Sequence, residues 1–186
     1  MQTPAIRLIL EEHRALATVL RALGSATDRP GTPDFDHLRA MLFYLDDMPA
    51  RVHHVTESGL LFPRIRERCP ALRPVLDRLE AEHKRGESAV RELEHAVTAW
   101  QMMGDGRRES FQMLVHAFTT TYLGHMEVEE NYVLSVACDV LSAADWREFD
   151  KDLRGRRGAL NDTLTRGHRE LYSRIVSNRS PLLKHP

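Results

Sequence analysis

A chain of 186 residues fits one domain and can bury a core without disulfides or other staples. Its make-up, 42% hydrophobic and 28% charged, is that of an ordinary globular protein, and a formal net charge of −1 excludes an overall attraction to nucleic acid or an anionic membrane. No run of about 18 apolar residues is present to span a bilayer.

Periodicity is helical from end to end. Thr3 and Pro4 read as the cap and first position of a helix running to about Ala26, with an inward stripe of Ile6, Ile9, His13, Leu16, Leu20 and Leu23. A Gly- and Pro-containing loop from Asp28 to Pro33 precedes a second helix, from about Asp34 to Arg68. Its stripe is Leu38, Leu42, Leu45, Pro49, His53, Glu57, Leu61 and Ile65, and Pro49 and Pro63 are expected to kink or split it. After a turn at Cys69-Pro70, a third helix covers about Ala71 to Met102, with Leu76, Leu79, His83, Gly86, Val90, Leu93, Val97 and Trp100 inward. Gly104-Asp105-Gly106 turns the chain into a fourth helix, about Arg107 to Ala137. That helix carries Phe111, Val115, Phe118, Tyr122, His125, Glu129, Tyr132 and Val136.

Ser142-Ala-Ala-Asp145 is a capping box opening a fifth helix, and Asn161 to Val176 forms a sixth. The fold expected is all-α: an antiparallel up-down four-helix bundle over residues 1–140. One or two extra C-terminal helices, over 141–186, extend the same domain. These could cap the bundle or build a homodimer or partner interface. From Lys151 to Pro186 there are nine Lys/Arg against three Asp/Glu, so this tail is either a solvated basic face or a docking surface. Met1-Gln2-Thr3-Pro4 lacks the basic and apolar regions of a signal peptide. Cys69 and Cys138 fall near the ends of helices that lie diagonally in such a bundle, so reduced thiols in a cytoplasmic protein are expected.

The polar residues on these stripes carry the chemistry. Glu12-His13-Arg14 is followed by His53-x-x-x-Glu57, and Glu82-His83-Lys84 by His125-x-x-x-Glu129. A His and a Glu four apart share one helix face. Counting at about 1.5 Å per residue from the turns brings Glu57, His83 and His125 to one level, with His13 about a turn off. Burying imidazole and carboxylate without partners costs several kcal/mol, and four helices doing so at one level need compensation. Two metal ions supply it: His13, His53, His83 and His125 bind terminally, and Glu57 and Glu129 bridge. A mixed His and carboxylate set without thiolates suits iron, manganese or zinc.

His54 points about 100° away from His53, towards the surface or the surroundings of the site. Glu87 could approach a metal but reads better as solvated, and Tyr122 could lie beside the site. Gly86 either opens space near His83 or lets helices pack closely. His37, His95, His116, His168 and His185 show no partner pattern.

At these residues the chain resembles the hemerythrin family, specifically the hemerythrin-like domains with His–His–Glu cation-binding motifs, over about residues 5–140. Leu61-Phe62-Pro63 after His53-His54-x-x-Glu57 is also typical of it. The resemblance implies two non-haem iron ions, with the six residues above as ligands. Oxygen-carrying members place two ligand histidines four apart on the third helix, whereas His83 is followed at that spacing by Glu87. The resemblance therefore implies binding, sensing or reaction with O2, peroxide or nitric oxide rather than simple oxygen transport. Such roles belong to oxidative or nitrosative stress or iron homeostasis, with a peroxidase- or oxidoreductase-like activity. Relatives tied to iron–sulfur repair carry an extra N-terminal domain with cysteine, which this chain is not expected to share.

Two alternatives stand beside it. One is a metal-dependent sensor or scaffold acting through the basic tail. The other is a histidine phosphotransfer bundle, since His83-Lys84-Arg85-Gly86 resembles a His-x-x-Lys-Gly pattern; that role needs an exposed His83.

Overall fold

Thr3 starts the first helix as expected: its Oγ1 accepts the Ile6 N–H at 3.3 Å, opening α1 (Pro4–Asp28). The computed structural model describes residues 3–159 and 161–177; positions 178–186 of the basic tail, Met1 and Gln2 lie outside the described residues. Among the described residues no strand forms. The whole predicted stripe of α1, His13 included, is buried.

Asp34 caps α2 (Phe35–Met48) by accepting the His37 N–H at 2.9 Å. Pro49 and Pro63 do not split the second helix. Residues 35–68 run on as one rod through α3 (His54–Thr56) and α4 (Phe62–Arg68), joined by π turns at Pro49–His53 and Glu57–Leu61. In these turns the His54 N–H reaches the Pro49 carbonyl and the Phe62 N–H reaches that of Glu57, five residues back. Each turn inserts one residue and rotates the helix face beyond it. A short 3₁₀ turn at Pro70–Leu72 leads into α5 (Arg73–Met103), which ends where Gly104 takes φ +88°, a conformation that suits glycine. The fourth rod is α6 (Arg108–Val128), a π turn at Glu129–Val133, and α7 (Leu134–Val140).

That last π turn corrects the predicted stripe. Tyr132 is 51% exposed, and Val133 and Ala137 face the core instead. A strict 3.6-residue period cannot anticipate the extra residue that turns this face.

The rods pack in the cyclic order first–second–third–fourth–first, as an up-down bundle requires. The Ser142–Asp145 capping box forms, with the Asp145 N–H on Ser142 Oγ at 3.2 Å and the Ser142 N–H on Asp145 Oδ2 at 2.9 Å. It opens α8 (Ala143–Ala159), and α9 (Asn161–Ser177) comes next.

Two apolar clusters fill the bundle. One holds Leu16, Leu42, Val97 and Phe111; the other holds Ile9, Phe62, Leu76 and Val133. Along each rod the histidines and glutamates fall where one cluster gives way to the other. The C-terminal helices are built into both: α9 adds Leu171 and Ile175 to the first, and α8 adds Trp146, Phe149 and Leu153 to the second. They pack on the first and second rods. No described helix is long and apolar enough to cross a membrane. Cys69 is half-buried, Cys138 is exposed, and both are free.

Candidate metal centre

All six residues singled out from the sequence meet in one buried layer. His13 and His53 are 1% exposed, Glu57 and Glu129 likewise, and His83 and His125 are 6% and 7% exposed. His13, expected about a turn off, reaches the same layer, with Nε2 3.5 Å from both Glu57 and Glu129.

The layer has two halves. In one, His13 Nε2 lies 3.0 Å from His53 Nε2; in the other, His83 Nε2 lies 3.0 Å from His125 Nε2. Glu57 and Glu129 sit between the pairs. Glu57 is 3.3 Å from His53 Nε2, 3.5 Å from His13 Nε2 and 3.6 Å from His83 Nε2. Glu129 is 3.3 Å from His125 Nε2, 3.5 Å from His13 Nε2 and 3.6 Å from His83 Nε2.

The outward nitrogens explain which way the rings face. His53 Nδ1 meets Glu12 Oε2 at 3.0 Å, His125 Nδ1 meets Glu82 Oε2 at 2.8 Å, and His13 Nδ1 meets Glu130 Oε1 at 2.9 Å. An ionised carboxylate only accepts, so each of these Nδ1 atoms carries the hydrogen and turns an Nε2 inward. His83 Nδ1 meets the Ser58 hydroxyl at 3.1 Å. The arrangement matches the sequence repeat: Glu12 and Glu82 are equivalent, each holding the histidine of the neighbouring rod, and so are Ser58 and Glu130. An acceptor behind each histidine is the arrangement that orients metal-binding imidazoles. These four partners are not singled out by periodicity, although a Glu directly before His13 and before His83 is a visible signal in the sequence.

Inside the layer, donor atoms face one another. Two Nε2 lone pairs cannot face each other at 3.0 Å unaided. Glu57 Oε2 and both oxygens of Glu129 are buried with no hydrogen-bond partner among the described residues. Donors about 2.0–2.2 Å from a shared ion lie roughly 3.0–3.5 Å apart, as these do. The residues present therefore fit a pair of cations. Four donors, from His13, His53, Glu57 and Glu129, lie within 4.8 Å of one another, as do three from His83, His125 and Glu129.

Without metal, protons stand in. Burial disfavours a charged His13, but contacts with Glu129 and Glu57 outweigh it and hold the ring up at about 10. His125 is held up at about 9 in the same way, burial being overcome by Glu129 and Glu82. Glu129, despite burial, is held well below the usual carboxylate range by His125, His13 and His83.

His54 belongs to the surroundings and not to the surface. It is buried, stacks on His83 with centroids 3.8 Å apart, and its Nε2 lies 3.3 Å from the Tyr122 hydroxyl. Burial, with the neighbouring His83 and His53, pushes its pKa far below the ordinary histidine value, so it is neutral. Glu87 is 40% exposed and comes no nearer than 4.0 Å to His54 Nδ1. It stays outside the cluster. His83 is buried with both nitrogens engaged, which removes the exposed imidazole that phosphotransfer needs.

A cavity of about 260 Å³ between α5 and α6 reaches His54, His83, Tyr122 and His125. Its walls are mainly apolar, with Ala89, Leu93, Ala117 and Phe118 among them. A Cβ at Gly86 would meet only the Tyr122 ring, at 3.9 Å, so this glycine is not forced by close helix packing; it widens the cavity. His168, which shows no pattern in the sequence, is buried against Asp47 at 2.8 Å and ties α9 to α2.

A family model described as the hemerythrin HHE cation binding domain matches residues 5–137. No curated protein and no solved structure matches the chain.

Proposed function

Because the chain belongs to the hemerythrin HHE cation-binding domain family, we propose that it is a non-haem di-iron protein that binds, senses or reacts with O2, peroxide or nitric oxide. The observation that carries this is the pair of facing Nε2 atoms in each half, with unpartnered carboxylate oxygens between them. In this reading His13, His53, His83 and His125 are terminal ligands and Glu57 and Glu129 bridge. Bound there, iron supplies redox steps and coordination positions open to a small ligand; manganese or zinc would suit the same donors.

The chain's own residues do the rest. Glu12, Glu82 and Glu130 fix the tautomers and raise the basicity of the imidazoles behind which they sit. The cavity between α5 and α6 gives a diatomic or peroxide a route to the His83–His125 half, and its apolar wall keeps bulk water sparse. Tyr122 and His54 line its inner end, hydrogen-bonded to each other. Glu87 stands where oxygen carriers have a further histidine, and it lies outside the cluster, which favours reaction or sensing over simple transport.

A scaffold acting through the C-terminal tail is less well supported, since α8 and α9 bury their apolar residues in the bundle itself. We read residues 141–177 as part of the same domain.

The test is metal content per chain after anaerobic loading with ferrous iron, with spectra before and after air or peroxide. Two irons and a new near-ultraviolet band are expected, and His53→Ala and His125→Ala should each fall short of two irons and lose the band. A chain that takes up no stoichiometric metal would overturn the reading.

A further inference from the structure

The two halves share one plan but not one set of supports, and we propose that they take up metal in order. The His13–His53 half binds first and tightly; the His83–His125 half binds second and exchanges. This rests on the di-metal reading above and adds to it the residues that make the halves unequal.

Three independent observations point the same way. The support behind His13 is a carboxylate, Glu130 at 2.9 Å, while the equivalent support behind His83 is the neutral Ser58 hydroxyl at 3.1 Å. A carboxylate draws the Nδ1 proton towards itself and makes Nε2 a stronger donor to a cation. A hydroxyl does this weakly, and it can also donate to Nδ1, which leaves Nε2 protonated and unable to bind.

The first half also gathers four donors within 4.8 Å of one another, against three for the second. Finally, His13 and His53 are 1% exposed, whereas His83 and His125 line the open cavity. An ion held there has a path to solvent.

Supports of this kind alter metal affinity by roughly 10–100-fold, so the two dissociation constants should differ by at least about tenfold. The experiment is a zinc titration of metal-free full-length protein against a chelating dye. Two resolved steps of one ion each are expected, the tight step disappearing in His53→Ala and the weak one in His125→Ala. Glu130→Gln, at a half-exposed position that leaves the core intact, should weaken the tight step and bring the two together. Ser58→Ala should weaken only the second.

Uptake of both ions in a single step of equal affinity would overturn the order, as would loss of the weak step in His53→Ala. Uptake of fewer than two ions by the unmodified chain would instead overturn the di-metal reading on which the order rests.

Discussion

Loading the metal-free protein at pH 7 should release about two protons per chain. In each half an Nε2 faces another Nε2 at 3.0 Å, and one shared proton per pair makes that contact attractive. His13, held up at about 10, keeps the first proton, and His125, at about 9, keeps the second. Both are therefore bound almost completely at pH 7. Glu129 is already ionised and contributes none. An incoming cation replaces the proton of each pair, so uptake and proton release are stoichiometric. Zinc calorimetry in buffers of different ionisation enthalpy counts them. The count should be near two at pH 7, about one between the two titrations, and near zero only about a unit above the His13 value. Apparent affinity should accordingly keep rising from pH 7 to 10, by up to about tenfold per proton per pH unit. An unperturbed histidine would instead level off above about pH 7. Both histidines have folded values above the ordinary 6.5, so their stabilisation is complete below 6.5 and is lost as pH rises through 9 to 10. The melting temperature of metal-free protein should fall over that window, while that of loaded protein should not. Full zinc uptake at pH 7 with no proton release would refute the shared-proton account.

Glu12→Gln keeps a hydrogen-bond acceptor behind His53 but removes its charge, and should cost roughly 10–100-fold in metal affinity by competition titration. Unchanged affinity would mean that the contact only positions the ring. Ala117→Phe should fill the cavity, leaving iron content intact while slowing nitric oxide association several-fold in stopped-flow traces. Equal rates would place the ligand route elsewhere. Truncation after Leu141 removes Trp146, Phe149, Leu153, Leu171 and Ile175 from the core. At about 1.5–3 kcal/mol for each buried side chain, the loss is comparable to the ~5–15 kcal/mol stability of a typical domain. The shortened chain should unfold or aggregate, and a folded, fully metal-loaded product would show that these helices are dispensable.

Much of the bundle was legible because it is local. Thr3, Asp34 and Ser142 cap their helices through contacts three residues away, and the stripe from Ile6 to Leu23 is the buried face of α1. The π turns were not legible. Pro49, the cue at one of them, predicted a kink or a split and not a π turn, and the inserted residue at Glu129–Val133 turned Tyr132 outward. Two of the π turns begin at Glu57 and Glu129 themselves, so the misread positions adjoin the site.

What the sequence alone determined is the number of helices, their buried faces and the duplicated His and Glu residues on those faces, because each depends on spacing within one helix. Tertiary structure decided how those residues support one another. Glu130 reaches His13 across 117 positions and Glu82 reaches His125 across 43, distances set by the register between rods. It also decided that His54 stacks on His83, that the cavity between α5 and α6 opens on the His83–His125 half, and that α8 and α9 close the core. The physical reason is that helical periodicity fixes which side a residue faces, whereas only packing fixes what it meets there.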